Sequence, residues 1–232
     1  MSAKKRNVGL PSVPARDASV SQSTYRDLFS RILTGEFLPG TIVSEKQLAA
    51  RMGVSRTPVH NAVLQLVKDG LITQEANRRP VIARVTQADV EEIFDMRRLL
   101  ECEAASRAAS RIDRSTLTRL RAASEEVLKP SKRTGALERW ADFDDIFHDA
   151  IASTCGSSRL AADIRRYRML HHALNRLRMT EDLIPQALGE HMAILSALES
   201  RDGKKAALAM EEHLREWKAF YVQRFTARAV VR

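Results

Sequence analysis

Two cysteines in 232 residues, Cys102 and Cys155, are too few and too far apart for a disulfide framework or a zinc-knuckle spacing. No run approaches the roughly 18 uninterrupted apolar residues that a membrane helix requires, so no membrane span is expected. The opening stretch MSAKKRNVGLPSVPARDASVSQST carries basic residues without an apolar core. That pattern excludes a secretory leader and predicts a flexible arm over residues 1–20. A cytoplasmic location is the resulting expectation. Glycine and proline are sparse after Thr86, and neither strand alternation nor an internal repeat stands out there.

The residues that are present divide unevenly. A hydrophobic content of 44% allows each of two domains its own core. Residues 1–84 hold 13 Lys/Arg against 6 Asp/Glu, whereas residues 85–232 hold 25 against 23. The basic excess therefore belongs to the first third, as expected of a segment that meets a polyanion.

That first third has a helical pattern. Tyr25, Leu28, Phe29, Ile32 and Leu33 recur at i, i+3, i+4 spacing from Thr24, until TGEFLPG interrupts them. Ser44 and Gln47 form an S-x-x-Q helix start, Leu48, Ala49 and Met52 make an inner face, and Gly53 is a C-terminal cap. Ser55 is placed to cap a third helix, with Pro58 tolerated in its first turn. Val59, Ala62, Val63, Leu66 and Val67 form the buried stripe of that helix, which leaves Arg56, Thr57, His60 and Asn61 exposed near its start. Two helices joined by a tight glycine turn predict a helix-turn-helix. LITQEANRRPVIARV then reads as two short β segments around a basic tip, a wing.

The stretch GEFLPGTIVSEKQLAARMGVSRTPVHNAVLQLVKDGLI resembles the DNA-binding domain of the GntR family of bacterial transcription regulators. The resemblance covers about 60 residues and assigns operator contacts to Lys46, Arg56, Thr57, His60, Asn77 and Arg78. It implies a double-stranded operator, with phosphate contacts positioning the domain and Arg56 reading a guanine edge. The chain departs from the family at His60, where arginine is usual, and at Asn61, where glutamate is usual. The wing also reads NRRP, where a glycine commonly follows the first arginine.

From Thr86, which opens a T-x-x-D helix start, six helices are predicted near 87–109, 115–128, 136–154, 158–178, 181–199 and 203–228, forming an all-α bundle. Several polar residues fall on the apolar stripes. Ile93, Arg97, Leu100 and Ala104 share one face, and Leu137, Trp140, Asp144, His148 and Ile151 another. Ile184, Leu188, His191, Leu195 and Leu198 form a third, and Met210, His213, Trp217 and Phe220 a fourth. A single inward histidine is more often a satisfied core residue than a ligand, and Trp140 and Trp217 read as core. Asp144, His148, His191 and His213 together are a different matter. Three imidazoles and a carboxylate, too costly to bury unpaired, make a donor set for a first-row divalent metal such as Zn, Ni or Mn. His171 lies near an inward stripe as a spare candidate.

FDMRRLLECEAA, DDIFHDAIA, EHMAILSALESRDGKKA and MEEHL resemble the helical FCD domain of the FadR-type branch of the same family, over residues 86–226. The resemblance implies the same four metal ligands, a small carboxylate effector completing the coordination, and Arg97 as its basic partner. The sequence departs at STCGSS, where asparagine often follows the glycine. The whole chain thus reads as mainly α: a winged helix-turn-helix with a small β wing over 21–85, and a ligand-binding, dimerising six-helix bundle over 86–228. Its expected partners are operator DNA, a small organic acid and a second copy of the chain in a homodimer. Rival readings are a purely metal-responsive regulator, which an inward Arg97 disfavours, and a metal-dependent hydrolase fused to a DNA-binding module. The second lacks a clear inward general base, since Glu190 projects about 100° from His191 around its helix.

Overall fold

The computed structural model describes residues 15–33, 35–75, 78–84, 86–129 and 135–229. The chain divides into two compact units between Arg84 and Val85.

In the first unit, helix α1 spans Ala15–Leu33, α2 Glu45–Met52 and α3 Arg56–Lys68, followed by strands β1 (Ile72–Thr73) and β2 (Val81–Ile82). Helix α1 starts well before Thr24 and takes in the last residues assigned to a flexible arm. The sequence from Ala15 to Ser23 contains no glycine or proline to stop a helix that the buried Tyr25, Leu28, Phe29 and Ile32 anchor downstream. Ser44 Oγ accepts the Gln47 N–H at 3.5 Å at the head of α2. Gly53 closes α2 at φ 65°, a left-handed position where a Cβ is strained, and its N–H returns to the Ala49 carbonyl. Ser55 stands at the start of α3 in extended conformation, but its hydroxyl caps nothing. Pro58, Val59, Ala62, Val63 and Leu66 are buried, with α1 and α2 packed against α3.

The strands pair antiparallel with Ile72 opposite Ile82 and Thr73 opposite Val81. Ile42 adds an isolated bridge to Val81, a third piece of extended chain beside the two expected segments. This is a winged helix-turn-helix.

The second unit is a bundle of α4 (Gln87–Ala109), α5 (Arg114–Val127), α6 (Ala136–Thr154), α7 (Ser158–Arg178), α8 (Ile184–Glu199) and α9 (Gly203–Ala229). A 3-10 turn, Glu181–Leu183, leads into α8, where Pro185 occupies the first turn. Helix α4 opens with a complete capping box. Thr86 Oγ1 accepts from the Asp89 N–H at 3.3 Å, and Asp89 Oδ2 accepts from the Thr86 N–H at 2.5 Å. Of the residues expected on inward stripes, Leu137 is exposed. It lies in the first turn of α6, a full turn before the buried Trp140.

Helix α4 is the hub of this bundle, touching α6, α7, α8 and α9. Its second half is built from alanine, with Ala104, Ala105, Ala108 and Ala109 all buried. Small side chains let neighbouring backbones come close. At Gly203, the first residue of α9, an added Cβ would stand 2.7 Å from the Ser106 carbonyl oxygen. Glycine-to-alanine exchange at a helix start ordinarily stabilises by reducing unfolded-state entropy, but overlap with fixed backbone reverses the sign. Gly203→Ala is expected to destabilise the protein by about 1–3 kcal/mol. Urea denaturation followed by circular dichroism checks this; an unchanged or raised midpoint would contradict the close approach.

Candidate functional site

In the first unit, Arg56, Thr57, His60 and Asn61 are exposed along the leading half of α3, on the side opposite its buried stripe. Lys46 is exposed on α2 and Arg78 in the wing, where it forms an exposed pair with Glu75 at 3.0 Å. Asn77 lies outside the described residues. His60 Nδ1 lies 2.8 Å from Glu45 Oε1, so a side chain of α3 is tied to the first residue of α2. Asn61 Nδ2 donates to Ser21 Oγ of α1 at 3.5 Å. The helix-turn-helix thus presents cationic, hydroxyl and imidazole groups on one helix start, backed by two others.

In the second unit, His148 of α6, His191 of α8 and His213 of α9 converge, with one ring nitrogen of each within 4.8 Å of the others. All three rings are buried. Asp144 lies one turn before His148 on α6, and its Oδ1 stands 3.2 Å from His191 Nε2 and 3.6 Å from His148 Nε2. Four helical side chains from three helices therefore share one point in the core.

Each histidine is oriented through its other nitrogen. His148 Nδ1 bonds Glu101 Oε2. His191 Nδ1 bonds the Ala187 carbonyl at 2.8 Å, and His213 Nδ1 bonds Glu190 Oε2 at 2.8 Å. Carbonyl and ionised carboxylate oxygens only accept, so Nδ1 carries a hydrogen in all three rings, and a ring that is neutral keeps its lone pair on Nε2. The Nε2 atoms of His148 and His191 are buried without a hydrogen-bond partner. Asp144 Oδ1, another acceptor, faces them. Lone pairs gathered in a dry core repel unless a cation sits among them, and outer partners that fix histidine tautomers are typical of metal sites.

The protonation states fit that role. Burial, reinforced by the Arg168 guanidinium, pushes His148 well below the usual imidazole range. Burial brings His213 down to about 4 against the pull of Glu190. Burial is the strongest single influence on Asp144 and Glu101 and opposes their ionisation. Arg168 with His191 and His148 around the first, and Arg97 with His148 and Arg168 around the second, together outweigh it and hold both well below the carboxylate range. Neutral imidazoles and ionised carboxylates at neutral pH are the ligand forms a divalent ion requires.

Arg97 is buried on α4, with its Nε bonded to Glu101 Oε1 at 2.7 Å and its guanidinium 5.4 Å from the Phe94 ring centre. It shares a small cavity with Asp144, His213, Trp140, Trp217, His171, Met179 and Tyr221. Trp140 and Trp217, expected as core, therefore also line this space. His171 stands on its wall edge-on to Phe94 and Tyr221, and it is not in the three-histidine cluster.

Three working residues were not singled out from the sequence as part of the site. Glu101 bridges Arg97 and His148, and its i, i+4 spacing from Arg97 was a readable signal. Glu190 does project away from the His191 direction, yet it reaches His213 Nδ1 and accepts from Trp217 Nε1 at 2.7 Å. Arg168 of α7 donates through one amino group to Asp144 Oδ2 at 2.8 Å, to the Asp144 carbonyl at 3.0 Å and to Asp145 Oδ1 at 3.2 Å. It turns Asp144 so that only Oδ1 faces the histidines.

Comparison with known proteins agrees with both units. Residues 20–82 match the bacterial regulatory proteins of the gntR family, and residues 92–216 match the FCD domain. The HTH-type transcriptional repressor RspR of Escherichia coli (strain K12) is 32% identical over 201 residues, covering 85% of this chain and 86% of that protein. The HTH-type transcriptional repressor GlaR of the same organism is 26% identical over 202 residues, covering 82% and 90%. The solved structure of E. coli McbR/YncC superposes with a TM-score of 0.69 at 20% identity, over 89% of this chain and 98% of that one. A winged helix-turn-helix followed by a helical bundle thus finds its match in sequence and in fold: the chain belongs to the GntR family of DNA-binding transcription regulators, in its FCD-containing form.

Proposed function

We propose that this regulator binds its operator as a homodimer and that a small organic acid, bound at a metal in the C-terminal unit, modulates that binding. The observation that carries the reading is the orphaned pair of buried Nε2 atoms, on His148 and His191, facing Asp144 Oδ1. Asp144, His148, His191 and His213 would hold one divalent ion, and imidazole with carboxylate suits Zn²⁺, Ni²⁺ or Mn²⁺. A bound ion would supply positive charge and open coordination positions for a carboxylate. Arg97, on the cavity wall, pairs with the remaining negative charge of the effector.

The cavity leaves about 10 Å³ to the centre of a water-sized sphere, room for roughly one water. An organic acid is larger than that space, and on this reading its entry moves the walls. Binding therefore favours a more open bundle, and that differential affinity is what a population shift requires. Helix α4, which carries Arg97, begins three residues after the division between the two units.

A second reading, a regulator that answers to metal alone, draws support from the small size of the same cavity and from the pairing of Arg97 with Glu101. The hydrolase reading has less behind it. Glu190, the carboxylate beside His191, is engaged by His213 and Trp217 and is not placed as a base.

Chelator-treated protein is expected to lose binding to organic acids while the melting of its N-terminal unit is unchanged. His213→Ala should abolish metal retention, whereas Arg97→Ala should keep the metal and weaken the acid at least tenfold. Elemental analysis and calorimetry across a panel of small mono-, di- and hydroxycarboxylates test this. Acid binding that survives full metal removal would sink the proposal, and DNA binding that responds to metal with no acid present would favour the second reading.

On the DNA side, Arg56→Ala is expected to cost about 1–3 kcal/mol and relax base preference, as loss of a bidentate guanine contact would. Lys46→Ala should weaken all duplexes alike and flatten the slope of log affinity against log salt by about one unit. Titrations of duplex at several salt concentrations separate the two; wild-type affinity in both variants would remove these residues from the interface.

A further inference from the structure

His60 stands one turn after Arg56 on the exposed side of α3, with 53% of its side chain open to solvent. Its Nδ1 lies 2.8 Å from Oε1 of Glu45, the first residue of α2. A carboxylate can only accept, so the hydrogen of the neutral ring resides on Nδ1. The nitrogen across the ring, Nε2, then holds a lone pair and no hydrogen. The ring is braced between the two helices of the helix-turn-helix, and in its neutral form the polar atom on its far edge is a hydrogen-bond acceptor.

That chemistry is the reverse of an arginine's. A guanidinium offers donors only and pairs with the acceptors of guanine, O6 and N7. In the major groove the four bases divide by the group at this edge: adenine N6 and cytosine N4 donate, whereas guanine O6 and thymine O4 accept. We infer that Glu45 locks the tautomer of His60 and so makes it a reader of amino bases, adenine or cytosine, at one position of each half-site. The inference rests on the reading of α3 as the helix that enters the groove. It also predicts a composite signature, because Arg56, one turn earlier on the same face, favours guanine. Glu45 thereby acts on the operator through His60, as a positioning residue.

The test is a selection from randomised duplexes with the full-length protein at pH 8, run in parallel for four proteins. The wild type is expected to enrich adenine or cytosine over guanine or thymine about five- to tenfold at one position per half-site, the discrimination of a single good hydrogen bond. His60→Arg should turn that position to guanine. His60→Ala should make it indifferent and leave the rest of the motif intact. Glu45→Gln, whose amide can either donate or accept, admits both tautomers and should reduce the preference to less than about twofold. Both residues lie at the surface, and thermal melts verify that the variants fold. If His60→Ala retains the complete wild-type motif, or Glu45→Gln keeps the full amino preference, the inference is overturned. Failure of the wild type to enrich any motif would instead strike at the groove-helix reading itself.

Discussion

Three imidazoles are buried in the helical core of the C-terminal unit, each with Nδ1 satisfied and with one ring nitrogen of each within 4.8 Å of the others. Around that arrangement the rest of the bundle is organised. Burying such groups costs several kilocalories per mole unless they are paired, on the order of 1–3 kcal/mol for each orphaned polar atom. Glu101, the Ala187 carbonyl and Glu190 meet half of that demand. The other half, the Nε2 atoms of His148 and His191 and Asp144 Oδ1, is left facing one another in the core.

The fixed charges around the cluster nearly cancel. Two buried guanidiniums, Arg97 and Arg168, stand against two buried carboxylates, Glu101 and Asp144, and half-buried Glu190 adds one more negative charge at the edge. The pairs are interlocked. Glu101 joins Arg97 to His148, and Asp144 joins Arg168 to His191 and His148. Removing one partner from such a pair leaves a buried charge exposed to low dielectric, which is more damaging than never having built the pair. A divalent ion added to this network brings surplus positive charge, and an anionic co-ligand is its natural compensation. The network also gives α4 its importance, since that one helix supplies both Arg97 and Glu101 and touches the four helices that surround the cluster.

Much of this was legible in the sequence because helical periodicity reports direction. Asp144 and His148, four residues apart on an apolar stripe, had to point inward together, and His191 and His213 occupied equivalent places on other stripes. The helix-turn-helix was legible for a similar reason: Ser44, Gly53 and Pro58 each mark a helix end by a stated backbone requirement. Periodicity says little about partners from other helices. Arg168 is one of three arginines within four residues of α7, and nothing local distinguishes it from Arg165, which pairs at the surface with Asp149. Glu190 projects away from His191 around α8, but a glutamate side chain is long enough to reach the neighbouring α9. The His60–Glu45 bond crosses the turn between two helices, a geometry that residue spacing does not encode.

The central claim is that the three Nε2 atoms and Asp144 Oδ1 form one coordination site. X-ray absorption at the metal edge, on full-length protein loaded with Zn²⁺ and freed of excess ion, addresses it directly. One ion per chain is expected, with three imidazole nitrogens at about 2.0–2.1 Å and a carboxylate oxygen at about 2.0–2.2 Å. That signature should lose one imidazole in His191→Ala. A spectrum of water oxygens only, or one unaltered by His191→Ala, would mean that the ion sits elsewhere and that the histidines are ordinary residues of the core.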